Sequence, residues 1–417
     1  MTRDKGTTTA PAASPVESTT GDAPLPTVAA GAARPEVTLE PTVVARPHPS
    51  SRLERSLRIA VLAGGANTER NVSLSSGQAI ARALRGLGHA VALVDSASSP
   101  VIPDEDPRAA FLTTEIEESD LAEGPVAPSA AQAPDLGALR VVRARQIDGV
   151  LAPGLLPILQ HADVVFVTVF GDEGESGATQ RFLAANGLVH TGPSAEVCAL
   201  TFDKARTKQV VRSHGIDTPD WHVVARHGAA EDLAGLTIGG PWIVKPVAGG
   251  STIGLSYVED AAELPAACAL ASAEGQDALI ERFVPGRDFT IGVLGDRVTA
   301  VVEASTDREL YDYEAKYTPG AARKQVPADL PDAQTTELQQ LTARVHQVLG
   351  IGDTSSRADF RLGPDGRFTF FETNPLPGMT PTSSYPLSVG GAGVTFPELC
   401  EELVVRALAG GESQVQG

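Results

Sequence analysis

The segment from Ser355 to Pro381, SSRADFRLGPDGRFTFFETNPLPGMTP, constrains the fold of this chain more than any other stretch. Two short runs, in which polar and apolar residues largely alternate, flank the tripeptide Pro364-Asp365-Gly366. Alternation of this kind predicts strands, and the tripeptide is typical of a tight turn. The segment is therefore predicted to be a β-hairpin.

Four polar side chains of this hairpin are predicted to converge. Residues two apart on a strand share a face, so Arg357 lies beside Asp359 and Glu372 lies beside Asn374. The turn then brings the two pairs close to each other. Oxygen ligands with a cation beside them suit Mg²⁺ and phosphate chemistry. The alternative is a solvated hairpin face with ordinary charges, and the hairpin residues alone leave both interpretations open.

Composition limits the classes of protein to which the chain can belong. Its 417 residues are enough for two or three domains, and 42% hydrophobic with 20% charged residues is typical of a globular protein. The net charge of −19 argues against nucleic acid or an anionic membrane as the main partner. Three widely spaced cysteines indicate a reducing compartment, so we expect a cytoplasmic location.

Two stretches are predicted to lie outside the folded core. Residues 1–56 are rich in Ala, Pro and Thr without periodicity, which indicates a disordered tail. Residues 96–145 are acidic and then rich in Pro and Ala, which predicts a surface insertion.

The first folded region is predicted to contain a parallel sheet. Arg58–Gly65 and Asp163–Phe170 are apolar runs typical of buried strands, and Ala90–Asp95 is a further strand. Between the strands Arg58–Gly65 and Ala90–Asp95, a helix is predicted to begin with Ser73 or Ser75 as N-cap and to end at Gly86 or Gly88. The βαβ opening indicates an α/β fold.

A glycine-rich loop in the middle of the chain is a candidate phosphate site. In KPVAGGSTIGLS, two predicted strands flank glycines that let backbone N–H groups approach phosphate oxygens, with Lys245 at the base. A mobile hairpin tip is the alternative. Lys204 is a candidate for a second phosphate contact, although a solvated helix face is the simpler interpretation of that residue in isolation.

Three further groups of residues are candidates for binding. The strand ALIERFV is predicted to be an edge that binds adenine through its backbone, with a carboxylate nearby for ribose; an edge strand with a polar face is equally compatible. The segment Tyr311–Gly320 holds three of the five tyrosines, which predicts a closing loop or a small aromatic core. Glu69 precedes a helix and either binds an amine or complements the helix dipole.

Taken together, these segments resemble the D-alanine–D-alanine ligases, members of the ATP-grasp superfamily. The resemblance covers Leu57 to about Leu408 and rests on pieces that occur in the order of the family: GGANTERNVSLSSG, GDEGESGATQ, TGPSAEVCALTFDK, KPVAGGSTIGLS, LIERFVPGRDFTIGVLG, YDYEAKY and SRADFRL…FFETNPLPGMTPTSSYP.

The resemblance implies an α/β (α+β) chain with the ATP-grasp fold. An N-terminal parallel-sheet domain would be followed by two α+β domains that clamp ATP between them. The expected boundaries are 57–192 for the substrate domain, 193–280 for the central domain with the glycine-rich flap, and 281–410 for the catalytic domain.

The resemblance also implies a role for each matching residue. ATP phosphates would be bound by Lys204 and Lys245 with Ser251, Thr252 and Lys316 from the two loops, and adenine and ribose by Glu281, Val284 and Asp288. Two Mg²⁺ ions (or Mn²⁺) would be held by Asp359, Glu372 and Asn374, and the oxyanion would be stabilised by Arg357 and the backbone of Gly378. Glu69 would bind the first ammonium, in a set with Ser251 and Tyr317, and Ser383 would bind the second carboxylate.

The implied activity is ADP-forming ligation of D-alanine to D-alanine through an acyl phosphate, for peptidoglycan precursors, by a homodimer acting on small molecules. The chain differs from the usual family pattern at four positions: Phe170 replaces His, Ser176 replaces Asp, Gly249 replaces Glu and Ser384 replaces Leu. These changes lie near the predicted amino acid pockets. A ligase of specialised metabolism or resistance with another amino acid substrate is therefore the alternative, and a non-catalytic nucleotide binder is a third.

Overall fold

The computed structural model describes residues 55–98, 106–111, 141–226, 229–250, 254–306 and 322–414. Most of the predicted tail and insertion falls outside these ranges, and so do Ser251, Thr252, Lys316 and Tyr317. Within them, one parallel and two antiparallel sheets combine with helices in a mixed α/β fold, as the sequence predicts.

The parallel sheet has the strand order β2-β1-β3, so β1 lies in its middle. Ile59 and Val61 of β1 face one hydrophobic core, whereas Ala60 and Leu62 face another. Because both faces are covered, the strand is apolar throughout. The strands are β1 (Arg58–Ala63), β2 (Ala90–Asp95) and β3 (Val164–Val167).

The helix between β1 and β2, α1 (Arg70–Gly86), begins earlier than predicted. Glu69 is its N-cap residue, so the predicted start at Ser73 or Ser75 was wrong, whereas the end at Gly86 is confirmed. Ser73 does not cap the helix because its buried hydroxyl donates to the carbonyl oxygen of Thr168 instead. The early start places the Glu69 carboxylate at the carboxyl edge of the parallel sheet.

Short helices surround β3 and lead into the next region of the chain. A 3₁₀ turn at Pro107–Ala110 lies near the end of β2. The helices are α2 (Leu156–Leu159), α3 (Asp172–Glu175), α4 (Ala178–Ala185), α5 (Ala195–Phe202) and α6 (Lys204–Ser213).

The backbone of α3 lies so close to the end of β3 that residue 174 must be glycine. A Cβ atom at Gly174 would lie 1.7 Å from the carbonyl oxygen of Val169. We expect Gly174→Ala to lower the free energy of unfolding by about 3 kcal/mol, because backbone atoms must shift to relieve the overlap. Gly86→Ala is the control, since nothing lies within 4 Å of its added methyl group. Equal urea midpoints for the two variants would contradict this.

An antiparallel sheet with the order β4-β7-β5-β6 carries the glycine-rich loop between β5 and β6. One face packs on a helix through Val244, Ile280 and Cys268. The elements are β4 (Trp221–Val224), α7 (Ala229–Ala234), β5 (Trp242–Pro246), β6 (Ser256–Val258), a 3₁₀ turn (Ala261–Glu263), α8 (Leu264–Ala271) and β7 (Ala278–Arg282).

The second antiparallel sheet has the order β10-β9-β8-β11-β12 and ends in the predicted hairpin. Phe289, Phe360 and Phe370 pack beneath it against Leu338. The elements are β8 (Arg287–Leu294), β9 (Arg297–Thr306), β10 (Ala322–Gln325), α9 (Asp332–Val348), β11 (Ser355–Leu362) and β12 (Phe368–Asn374).

Two C-terminal helices, α10 (Ser384–Gly391) and α11 (Phe396–Gln414), join this sheet to the parallel sheet. Tyr385 and Leu403 share one hydrophobic core with Val61 and Leu84. The shared core ties these two helices to α1, which begins after Glu69. Within the described part of the chain, no helix has both the length and the apolar character needed to cross a bilayer.

Candidate active site

A cavity of about 300 Å³ lies where the carboxyl edge of the parallel sheet, the glycine-rich loop and the hairpin meet. This cavity is lined by most of the described residues that the sequence predicts for the site. They are Glu69, Lys204, Lys245, Glu281, Asp288, Arg357, Asp359, Glu372, Asn374, Gly378 and Ser383. Val284 is the exception.

The hairpin has the register that its sequence predicts. Asp359 pairs with Glu372 and Arg357 pairs with Asn374, so the four side chains lie on neighbouring strands. The ladder is irregular immediately after Asp359. The convergence predicted from spacing two along each strand is confirmed.

One guanidinium group holds the two hairpin carboxylates together. Arg357 Nη2 lies 2.8 Å from Asp359 Oδ2 and 3.6 Å from Glu372 Oε1. Burial alone would lower the pKa of Arg357, but the two carboxylates outweigh it and hold that pKa above its ordinary value. Thr290 donates a further bond of 2.9 Å to Asp359 Oδ1.

The donor set of the hairpin fits a hard divalent cation. Asp359 and Glu372 supply carboxylate oxygens and Asn374 supplies an amide oxygen, which are ligands that Mg²⁺ accepts. Among the described residues, no group of three His, Cys, Asp or Glu side chains could hold a metal ion. A cation here would thus depend on the amide oxygen, on bound phosphate or on water in addition to the two carboxylates.

Asn374 is held by a carboxylate that the sequence analysis did not single out. Its Nδ2 donates to Glu175 Oε1 at 2.7 Å, across 199 residues of sequence. Its Oδ1 accepts from the N–H of Leu376 at 2.8 Å, and an amide oxygen has a second lone pair for a ligand. Burial, and after it the nearby Glu69 carboxylate, raises the pKa of Glu175 to about 8.

The glycine-rich loop connects two antiparallel strands, as predicted, and Gly249, Gly250 and Leu255 at its described ends line the cavity. Lys204 Nζ donates to the carbonyl oxygen of Gly249, and burial lowers the pKa of this ammonium. The solvated helix face considered for Lys204 is therefore wrong. Gly250 approaches Glu69 so closely that a Cβ there would lie 2.7 Å from Glu69 Oε2.

Glu281 lies in the interior of its sheet. β7 lies between β4 and β5, so the predicted edge strand was wrong. The Glu281 carboxylate is 1% exposed and lies 2.8 Å from Nζ of both Lys208 and Lys245. Burial alone would raise the pKa of Glu281, but the two ammonium groups outweigh it and hold that pKa below its ordinary value.

Arg361 donates three hydrogen bonds to two residues that follow β7, Val284 and Asp288. Its Nε and Nη2 donate to the two oxygens of Asp288 at 2.6 and 2.9 Å. Its Nη1 donates to the carbonyl oxygen of Val284 at 2.8 Å. The Asp288 carboxylate therefore has a fixed position at the cavity wall.

Ser383 lies at the other predicted substrate position, as the N-cap residue of α10. Its hydroxyl is 2.7 Å from that of Thr380. The backbone of Gly378 is adjacent, because a Cβ there would lie 3.2 Å from Ser383 Oγ.

Three of the four positions that differ from the usual family pattern line the cavity: Phe170, Gly249 and Ser384. Phe170 is buried and places an aromatic residue without a polar group where the family usually has histidine. Gly249 has φ +127°, which favours glycine over any other residue. The differences therefore alter the wall of the cavity.

Sequence reasoning missed four residues: Glu175, Lys208, Arg361 and Lys324. Lys208 carried a signal, since it lies four residues after Lys204 on the same helix. Arg361 carried another, since it lies two residues after Asp359 on the strand. Glu175 lies in the matching piece GDEGESGATQ, but no local pattern predicts its contact with Asn374. Nothing in the local sequence distinguishes Lys324.

Models of two protein families match the chain. "D-ala D-ala ligase N-terminus" matches residues 58–193, and "D-ala D-ala ligase C-terminus" matches residues 210–405. Among solved structures, D-alanine–D-alanine ligase from Bacillus anthracis covers 87% of this chain and 100% of its own, with a TM-score of 0.65 and 22% identity. VanG D-Ala:D-Ser ligase from Enterococcus faecalis covers 85% and 100%, with a TM-score of 0.63 and 23% identity. Both have the same ATP-grasp fold.

Similar sequences cover most of the chain. D-alanine–D-alanine ligase from Gluconobacter oxydans is 36% identical over 358 residues, which are 85% of this chain and 100% of the relative. The corresponding ligase from Anaeromyxobacter sp. strain Fw109-5 is 34% identical over 348 residues, 83% of this chain and 96% of the relative. With two family models matched in order and relatives at this identity, the chain belongs to the D-alanine–D-alanine ligase family.

Proposed function

We propose that this protein is an ATP-dependent, ADP-forming ligase that joins D-alanine to D-alanine for peptidoglycan precursor synthesis. One observation carries the proposal. A single cavity brings together the lysines, the hairpin carboxylates with Arg357, and the Glu69 carboxylate at the start of α1. These are partners for a triphosphate with its cation and for an amino acid. Membership of the family supports the same activity.

The chemistry explains why the site needs these groups. A carboxylate is a poor electrophile, so the γ-phosphoryl group of ATP is transferred to it, which gives an acyl phosphate and ADP. The uncharged amine of a second amino acid attacks the carbonyl carbon, and phosphate leaves with the C–O bond electrons. The attacking nitrogen loses one proton, which the departing phosphate can accept. Both steps develop negative charge on oxygen, which fixed positive groups stabilise.

The nucleotide would lie between the two antiparallel sheets. Lys204 and Lys245 would bind its phosphates, with Ser251, Thr252 and Lys316 from segments outside the described residues. Glu281, Val284 and Asp288 would bind adenine and ribose, and Arg361 fixes the last two through its three hydrogen bonds. Glu281 holds Lys245 at the cavity through a 2.8 Å ion pair.

The hairpin would hold two Mg²⁺ ions through Asp359, Glu372 and Asn374. When bound, these ions would neutralise the phosphate oxygens and the charge that develops during transfer. Arg357 and the backbone N–H of Gly378 would stabilise the oxyanion. Glu175 accepts a hydrogen bond from the amide of Asn374 and so fixes this side chain at the cavity wall.

The amino acids would lie between α1 and α10. Glu69 would bind the ammonium group of the first, in a set with Ser251 and Tyr317, and Ser383 would bind the carboxylate of the second. The N-terminal domain (57–192), the central domain (193–280) and the catalytic domain (281–410) would each contribute one wall. We further propose a homodimer in the cytoplasm, as the family resemblance implies.

Phosphate release tests the proposal directly. We expect the purified protein to release phosphate from ATP and Mg²⁺ only when D-alanine is added, with the dipeptide identified by mass. L-alanine is the matched control. A protein that bound ATP but released no phosphate with D-alanine would contradict the proposal.

A second candidate keeps the acyl-phosphate chemistry but changes the second amino acid. The apolar ring of Phe170 and the hydroxyl of Ser384 in the cavity wall favour it. A panel of D- and L-amino acids and hydroxy acids distinguishes the two: clear preference for D-alanine in both positions would reject this candidate.

A further inference from the structure

Lys324 points into the cavity from the short strand β10. In the register with β9, Lys324 pairs with Ala304, and both residues line the cavity. Arg323 pairs with Ser305 and is exposed. Since neighbouring residues of a strand point to opposite faces, only one of these two adjacent cations faces the cavity.

The Lys324 ammonium lies at the end of the cavity that Ser383 forms. Its Nζ donates to the carbonyl oxygen of Thr382 at 2.9 Å. The next two residues, Ser383 and Ser384, both line the cavity. The Lys324 ammonium and the Ser383 hydroxyl therefore lie close to each other at the start of α10.

The second amino acid brings a negative charge to this end. Its amine must be uncharged to attack, so its carboxylate gives it a net negative charge. A serine hydroxyl offers that carboxylate a neutral hydrogen bond, whereas an ammonium group on a flexible stem offers a charge-assisted and stronger one. An ammonium has three donors, so it can contact a carboxylate and Thr382 together.

We propose that Lys324 binds the carboxylate of the second amino acid and selects acceptors that carry this charge. The inference deepens the proposed function and rests on it. A purely structural Lys324, which only ties β10 to the segment before α10, would affect stability but not the choice between charged and uncharged acceptors.

Competition between D-alanine and D-alaninamide as acceptors separates these roles. Both are supplied with ATP and Mg²⁺, and the ratio of dipeptide to dipeptide amide is measured by mass. We expect the parent protein to favour D-alanine. We expect Lys324→Met to reduce that preference about tenfold, because one charge-assisted hydrogen bond contributes a free energy of that size. Intrinsic differences between the two amines cancel, because only the change in the ratio is compared.

Two further variants serve as controls. Lys324→Arg retains the charge and is expected to keep most of the preference. Arg323→Met loses the same charge from the other face of the same strand and is expected to leave the ratio unchanged. Independently of any variant, the preference of the parent is expected to fall as ionic strength rises from about 0.05 to 0.5 M, since salt screens the contact.

The outcomes separate the two proposals. An unchanged product ratio in an active Lys324→Met protein overturns the role of Lys324 and leaves the ligase activity standing. If Lys324→Met does not fold, a parent ratio that is insensitive to salt overturns it instead. A folded parent that makes neither product overturns the proposed function, and the role of Lys324 with it.

Discussion

Replacing Asp359 with asparagine is expected to lower the rate of phosphate release about a thousandfold while leaving the fold intact. Asparagine has nearly the same shape and can still accept the 2.9 Å hydrogen bond from Thr290. It removes one of the two carboxylate charges of the hairpin, however, and the ion pair of 2.8 Å with Arg357. The lost carboxylate would weaken the hold on the Mg²⁺ ions that offset the charge developing on oxygen, and loss of such stabilisation has effects of about this size.

The control for Asp359→Asn is Asp365→Asn, in the turn of the same hairpin. Asp365 is exposed and its Oδ1 accepts from the N–H of Arg367, which an amide oxygen can also do. We expect normal phosphate release from this variant. Calorimetry supplies a second measurement, because Mg²⁺-dependent binding of an inert ATP analogue is expected to be lost with Asp359→Asn alone. An Asp359→Asn protein with parental activity would exclude this carboxylate from the site.

The sequence predicted the parts of the site that depend on local periodicity. Arg357 and Asp359 share a face because they are two apart on a strand, and the Pro364–Gly366 turn brings them to Glu372 and Asn374. The strand β1 was recognisable because its apolar run is continuous. In each case, the geometry of one element or one turn determines the contact.

Contacts that depend on the order of strands in a sheet were not predictable in the same way. β7 was predicted to be an edge strand, but it lies between β4 and β5 because it pairs with two distant segments. The bond between Asn374 and Glu175 depends on how the parallel sheet and the hairpin meet. No periodicity in a single sequence encodes that arrangement.

The same limitation hid the buried charge cluster of Lys208, Glu281 and Lys245. Lys208 is fully buried, and its ammonium contacts Glu281 Oε1 and Thr218 Oγ1, each at 2.8 Å. Replacing Glu281 with glutamine leaves this ammonium in the interior without its counter-charge. We expect the free energy of unfolding to fall by about 3–5 kcal/mol, measured from urea denaturation.

Two comparisons test the cause of that loss. The double variant Lys208→Met/Glu281→Gln removes the unpaired ammonium as well, so it is expected to be more stable than Glu281→Gln alone. Asp217→Asn breaks the exposed pair with Arg367 and is expected to cost less than about 1 kcal/mol. Equal losses for the buried and the exposed pair would show that burial of the charge is not the cause.

The pH dependence of the loss follows from Lys208. Burial lowers its pKa to about 8, whereas Glu281 acts to raise it. In Glu281→Gln, the pKa of Lys208 falls further. The folded variant therefore binds fewer protons than its unfolded chain over a wider pH range than the parent does. Within that pH range, the stability of the variant rises with pH. The difference in stability between parent and variant is therefore expected to be largest in acid, below the pKa of Lys208 in the variant, and to shrink as the pH approaches about 8. Above that pH the parent loses the same proton, so the difference becomes constant. A difference that grew between pH 6 and 8 would mean that Lys208 is not the ammonium left unpaired.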